Sequence, residues 1–212
     1  MTEKAIIFDL DGTLLDSMDA WMNVDKKFLA ENEIEYPDGL EEKMKTLGYK
    51  DACQVFVDSF EINMTCQQIM DRIKELIEGE YRDIIEIKPF VREYIKSRKE
   101  KGIKMCVLTA CHHSLAKAAL ERAGIYEYFN FVVSSDEMEI SKDNPLIFIK
   151  CAEKLNEAIS DIIVFEDALH CIKAAKAAGF KVVGVYDKAN EKDMDKISEY
   201  SDKYIKSFKE LL

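Results

Sequence analysis

Ala5-Ile6-Ile7-Phe8-Asp9-Leu10-Asp11-Gly12-Thr13 begins with four apolar residues and then turns abruptly acidic. An unbroken apolar run of this length marks a strand covered on both faces. Two acids, a glycine and a threonine follow at once, so the strand delivers carboxylates to its own end. Runs of the same kind recur at Met105-Cys106-Val107-Leu108, Phe131-Val132-Val133, Ile162-Ile163-Val164-Phe165 and Val182-Val183-Gly184-Val185, with Tyr204-Ile205 as a short sixth. Helical stretches separate them. Val91, Tyr94, Ile95 and Arg98 lead into Gly102, and Leu115 to Arg122 ends near Gly124. Asn144-Pro145 reads as an N-cap followed by proline at the first helical position. Leu169 to Ala178 is alanine-rich and stops at Gly179. Strands alternating with helices predict a parallel sheet with helices on both faces.

One segment breaks the alternation. From residue 18 to residue 85 the pattern is helical. Trp21, Val24, Phe28 and Leu29 share one helix, Val55, Val57 and Phe60 a second, and Ile69, Ile73, Leu76 and Ile77 a third. This predicts an all-helical unit at residues 18–85, inserted into an α/β body formed by residues 1–17 and 86–212. So small a unit buries little core by itself and is expected to pack on the body. Pro89 is a plausible return point.

The chain has 212 residues, 48% hydrophobic and 33% charged, with a formal net charge of −11. The acidic surplus disfavours nucleic acid as a partner and an anionic membrane surface. The surplus is uneven: residues 1–36 carry nine acids against three bases. A solvated helix face accounts for Asp25 to Glu35, but not for Asp9 and Asp11. The start of the chain reads as a strand rather than a secretory signal, and no apolar run approaches a membrane span. Cys53, Cys66, Cys106, Cys111, Cys151 and Cys171 include no C-x-x-C pair, and reduced, buried thiols are expected. Together these point to a cytoplasmic protein, a monomer or weak dimer.

In an open parallel sheet, ligands sit beyond the carboxyl ends of the strands. Those ends supply Asp9 and Asp11, then Thr109, then Glu166 and Asp167, with Lys142 shortly before the Asn144 helix start. Crowded carboxylates call for a cation, and oxygen ligands without clustered His or Cys select Mg²⁺ over Zn²⁺. Such an ion with a lysine and a hydroxyl nearby suits a phosphoryl group, and a carboxylate can then act as the nucleophile.

These residues resemble the four motifs of the haloacid dehalogenase-like hydrolase superfamily. Asp9-Leu10-Asp11-Gly12-Thr13 matches its D-x-D-G-T motif, and Thr109 its strand-ending Ser or Thr. Lys142 with Pro145 and Phe148 resembles the third motif; Glu166-Asp167 with the Ala174–Gly179 stretch resembles the fourth. The resemblance implies a Rossmann-like doubly wound α/β core with a small all-helical cap. It implies Asp9 as nucleophile and Asp11 as general acid and then base. It also implies Mg²⁺ held by the Asp9 carboxylate, the Asp11 backbone carbonyl, Asp167 and, directly or through water, Glu166. Thr109 and Lys142 would bind the phosphoryl oxygens, with Ala110 beside Thr109. Leu47-Gly48-Tyr49-Lys50 is the expected substrate-reading loop, Lys50 being either its specificity residue or a solvated lysine.

The chain departs from the pattern at Asp143 (usually Pro), at Ala168 (often Ser), at Cys171 (often Gly) and at Ala110 (commonly polar). None of these removes a catalytic group. Asp11 is the acid that dehalogenating relatives lack, so the expectation is a Mg²⁺-dependent phosphatase of small phosphate monoesters. The alternatives are a phosphomutase of the β-phosphoglucomutase type and a non-catalytic ligand-binding protein of the same fold. Thr13, where many mutases have Val, tilts toward hydrolysis. Asp16 is expected to cap the next helix, His112 and His113 to hydrogen-bond within their loop, and Trp21 to line the site mouth or join the core.

Overall fold

The computed structural model describes residues 3–44, 47 and 49–212, with the backbone alone for Tyr49 and Lys50. Among these residues six strands form one sheet: β1 (Ala5–Phe8), β2 (Lys104–Thr109), β3 (Phe131–Ser134), β4 (Ile162–Glu166), β5 (Lys181–Val185) and β6 (Lys203–Ile205). The order is β3-β2-β1-β4-β5-β6 and every pairing is parallel. The chain builds outward from β1 through β2 to β3, then crosses back to place β4 on the other side of β1. The order therefore reverses between β1 and β4, which opens a crevice at their carboxyl ends. This is the Rossmann-like α/β arrangement that the sequence implies.

The unbroken apolar run of β1 has a simple cause. Successive side chains of a strand point to opposite faces, and both faces are covered. Ile6 and Phe8 join the cluster under α5 (Val91–Glu100) and α6 (His113–Arg122). Ala5 and Ile7 join the cluster under α7 (Pro145–Leu155), α8 (Leu169–Ala177) and α9 (Met194–Tyr200). α7 starts as predicted: Asn144 is its N-cap, its side chain accepts from Leu146 N at 3.0 Å, and Pro145 opens the helix.

Between β1 and β2 the described residues of 18–85 hold only helices: α1 (Met18–Glu31), α2 (Leu40–Met44), α3 (Tyr49–Ser59), α4 (Cys66–Gly79) and a π-helical turn at Glu80–Ile84. Thr65 and Gln68 form a capping box at the start of α4, which satisfies two otherwise orphaned backbone donors. Ile69, Ile73 and Ile77 recur every fourth residue along α4 and are buried. They share a cluster with Val24 and Phe28 of α1 and Phe56 of α3, and the Phe28 and Phe56 rings lie 5.2 Å apart. Each fully buried side chain of this size contributes about 1.5–3 kcal/mol. The same cluster continues without a break into Ile6 and Phe8 of the sheet, so the insertion shares its core with the body. Among the described residues no helix is long and apolar enough to cross a membrane. None of the six cysteines is in a disulfide; five are buried and Cys66 is half-buried.

Gly184, the fourth of the five residues of β5, packs closely against α9 and the residue that ends it. A Cβ there would lie 2.5 Å from Ser201 Oγ, 3.0 Å from Ile197 Cγ2 and 3.1 Å from Tyr204 Cδ2. Gly184→Ala overpacks this layer and is expected to cost about 1–3 kcal/mol. Urea unfolding would show it as a lower midpoint at an unchanged slope. An unaltered midpoint would mean that α9 packs more loosely than these distances require.

Candidate active site at the β1–β4 crevice

β1 hands Asp9 directly into the crevice. The turn after it is compact, with Gly12 at φ +86° against the Asp167 carboxylate, where a Cβ would collide with that side chain. Both the left-handed backbone and the close approach require glycine. β4 ends at Glu166, and Asp167 follows. Lys142 arrives from the segment between β3 and α7. Its ammonium donates to Asp9 Oδ1 at 2.5 Å and to Glu166 Oε2 at 2.7 Å, and all three groups are buried. Glu166 Oε1 also accepts from the backbone N–H groups of Asp167 and Ala168, both at 3.2 Å. Asp167 accepts from Thr13 Oγ1 at 3.2 Å and from Asn190 Nδ2 at 2.7 Å.

This constellation carries excess negative charge. Burial raises the pKa of Glu166, and the Asp9 charge adds to the effect. Asp167 is raised well above the usual carboxylate range by burial, then by Asp9 and Glu166. Burial alone would lower the Lys142 ammonium, but Asp9 and Glu166 overrule it and hold the pKa well above the ordinary lysine value. One ammonium thus faces three buried acids. Ligand oxygens of Asp9, Glu166 and Asp167 lie within 4.8 Å of one another. Asp9 Oδ2 is buried and has no hydrogen-bond partner among the described residues. A buried acceptor of this kind needs an explanation, and an oxygen-only donor set of three acids fits a hard divalent cation such as Mg²⁺.

Asp11 lies apart from that triad. Its Oδ1 accepts from Ser17 Oγ at 2.7 Å and from the Tyr81 hydroxyl, and its Oδ2 from Thr109 Oγ1 at 3.3 Å. Burial raises its pKa, which the bonds from Tyr81 and Ser17 oppose. Thr109 Oγ1 also accepts from Cys111 N at 3.0 Å. Asp9, Asp11, Ala110, Lys142, Glu166 and Asp167 all line one cavity of about 210 Å³. The insertion supplies the facing wall, with Trp21, Met22, Asp25, Leu47 and Phe56 among its lining residues. Gly48 and the side chains of Tyr49 and Lys50 lie outside the described residues.

Several expectations need correction. Asp16 does not cap α1: Ser17 holds the N-cap position, without a capping bond, and turns its hydroxyl to Asp11. Asp25 is not on a solvated face; α1 turns it into the cavity, and burial pushes its carboxyl up to about 7. Trp21 does both things the sequence left open: it lines the cavity and packs against the core cluster, and its indole donates to Tyr81 at 2.8 Å. His112 caps α6 and accepts from Ser114 N, a loop role as expected. Tyr81, Asn190 and His170 belong to the site surroundings and were not legible as such. Tyr81 sits inside a helical apolar pattern, and Asn190 lies in a short polar stretch without a motif.

An order-reversed parallel sheet whose crevice gathers buried acids around one lysine defines a Rossmann-like α/β protein with a buried, charged crevice. The chain belongs to the haloacid dehalogenase-like hydrolase family, whose model matches residues 6–185, and it is an enzyme of that hydrolase class. It is 25% identical over 189 residues to the phosphorylated carbohydrates phosphatase of Thermotoga maritima, covering 89% of this chain and 88% of that one. It is 27% identical over 180 residues to the fructose-1-phosphate phosphatase YqaB of Escherichia coli, covering 85% and 95%. Its fold matches CbbY of Rhodobacter sphaeroides, solved with phosphate, at a TM-score of 0.87 and 22% identity, over 99% of this chain and 96% of that one.

Asp25 offers a test that is independent of the acid triad. Tyr36, Glu41 and Cys53 line the cavity with it. A folded-state pKa of about 7, against the ordinary carboxylate value of 3.8, means that the folded protein holds the proton to higher pH than the unfolded chain does. Ionising Asp25 therefore costs stability progressively from about pH 4 to pH 7. Asp25→Asn is expected to match the parent below about pH 4 and to exceed it above pH 7, on the order of 1–3 kcal/mol. Chemical denaturation across that range measures it. Parallel stability curves for the two proteins would place Asp25 in water.

Proposed function

We propose that this hydrolase is a Mg²⁺-dependent phosphatase of small phosphorylated metabolites, acting through an aspartyl-phosphate. The observation that carries the reading is Asp9: buried, bonded by Lys142 through one oxygen, and with its other oxygen unpartnered. In this reading Asp9 attacks phosphorus. As the phosphorus–oxygen bond to the alcohol breaks, the electron pair stays on the leaving oxygen and Asp11 gives it a proton. Water then attacks the aspartyl-phosphate, Asp11 takes a proton from it, and Asp9 and phosphate are released. Lys142, Thr109 and the backbone at Ala110 bind the phosphoryl oxygens and offset their charge. Asp9, the Asp11 carbonyl, Asp167 and Glu166 would hold Mg²⁺, which supplies neutralisation of the acids and of the phosphoryl charge.

The helices of residues 18–85 serve as a cap domain over a core of residues 1–17 and 86–212 and shield the site from water. The Leu47–Lys50 segment reads the leaving group, and the named activities of the sugar-phosphate phosphatase relatives favour a phosphorylated carbohydrate or similar metabolite.

Asp9→Asn should lose nearly all turnover of an aryl phosphate with Mg²⁺ while keeping its thermal unfolding transition. Retained wild-type turnover would remove the nucleophile assignment. With a sugar 1-phosphate, free phosphate is the expected product; an isomeric sugar phosphate as main product would make the protein a mutase. A panel of sugar phosphates, nucleotides and phosphoacids, ranked by kcat/KM, names the substrate.

A further inference from the structure

Tyr81 has no place in the four motifs, yet it is fully buried and its hydroxyl is bonded to Asp11 Oδ1. It lies in the π-helical turn Glu80–Ile84, where the chain leaves the insertion; such turns are rare and concentrate at functional sites. The Trp21 indole N–H donates to the Tyr81 hydroxyl at 2.8 Å, and the two rings meet edge to face with centroids 6.0 Å apart. That bond and packing fix the direction of the tyrosine O–H, leaving its proton for Asp11. Ser17 Oγ, where the chain enters the insertion, donates to the same Oδ1 at 2.7 Å.

The two carboxylate oxygens of Asp11 are therefore unequal. Oδ1 accepts two hydrogen bonds from the entry and exit of the insertion. Oδ2 is met at longer range by Thr109 Oγ1, at 3.3 Å, at the end of β2 that faces the phosphoryl site of the proposed reaction. A carboxyl group whose one oxygen is occupied as an acceptor carries its proton on the other.

We propose that Tyr81, seated by Trp21, is a positioning residue that locks Asp11 Oδ1 and so presents Oδ2–H to the leaving-group oxygen. The proposal rests on the acid role given to Asp11 above. In the step it serves, the Oδ2–H proton passes to the alcohol oxygen as that oxygen keeps the electron pair of the breaking phosphorus–oxygen bond. Asp11 is left as a carboxylate. Without the tyrosine hydroxyl the carboxyl group rotates, and both oxygens compete for the remaining donors.

A good leaving group needs little protonation and a poor one needs much, so general-acid positioning shows as leaving-group sensitivity. The measurement is kcat/KM with Mg²⁺ for 4-nitrophenyl phosphate and benzyl phosphate, because kcat/KM stops at release of the alcohol and excludes the later hydrolysis. Asp11→Asn sets the scale: its loss on benzyl phosphate should exceed its loss on the nitrophenyl ester by about 10²-fold or more. Tyr81→Phe keeps the ring and should show the same preference, with at least a tenfold larger loss on the benzyl ester. Trp21→Phe leaves Tyr81 in place and should show a smaller loss of the same selectivity, which keeps the idea testable if Tyr81→Phe fails to fold. Equal losses on both esters in the tyrosine or tryptophan variant, with Asp11→Asn still selective, would overturn the positioning role alone. Equal losses in Asp11→Asn would overturn the acid assignment beneath it.

Discussion

Three buried carboxylates around one ammonium constrain everything near the crevice. Asp9, Glu166 and Asp167 come from two adjacent parallel strands, and Lys142 bridges two of them. Burying a charge is costly unless it is paired and hydrogen-bonded. Lys142 bonds only two of the three, and Lys88, whose charge also reaches Asp167, is itself paired with Asp187, so the remainder of the structure limits the cost. Backbone N–H groups serve Glu166, and Thr13 and Asn190 serve Asp167. Asp9 Oδ2 is left over. The site is therefore electrostatically incomplete as a set of protein groups, and a divalent cation is the simplest species that completes it.

The same constraint explains why the fold has its order. A crevice that collects acids from sequence positions 9 and 166–167 requires β1 and β4 to be neighbours, although two strands and most of the chain lie between them. The reversal of strand order at β1 achieves this. It also explains the acidic opening of the chain. An excess of −11 weighs against a polyanionic partner, whose many charges would meet the whole surface. It does not weigh against a single phosphate ester, which under the proposed function meets only the lysine, the hydroxyl and the ion in the crevice.

The strands and the acid-bearing turns were legible because their signals are local. Ala5–Phe8 is apolar at every position only if both faces are covered, and the residues after it are then committed to the sheet edge. Asn144-Pro145 announces a helix start by two adjacent residues. What could not be read depends on rotation and distance. Asp25 looks like a surface acid because its neighbours Lys26 and Lys27 are solvated, and the rotation of about 100° between successive helical residues decides that it faces the cavity instead. Asp16 and Ser17 are both good capping residues, and only the location of Asp11 reveals that Ser17 is turned away from the helix. Asn190 reaches Asp167 across a loop that the sequence marks with no motif.

The point of insertion ties these parts together. Asp16 N donates to Glu86 O at 3.0 Å and Lys88 N to Leu14 O at 2.8 Å, and Leu15 bridges antiparallel to Ile87. The entering and leaving segments are thus paired as a short ribbon that begins a few residues after Asp11, and Leu15 bridges back to Asp11 itself. A displacement of the helices relative to the sheet has to pass through this ribbon. Ser17, the last residue before α1, and Tyr81, in the insertion, flank it, and both end on Oδ1 of Asp11. The orientation of that carboxylate therefore depends, through Tyr81, on how the insertion sits, whereas Asp9 is held by Lys142 from the body. Two acids only two residues apart thus differ in what holds them, since Asp11 has a partner in the insertion and Asp9 is bonded by Lys142 of the body, which separates the group that attacks in the proposed reaction from the group that moves the proton.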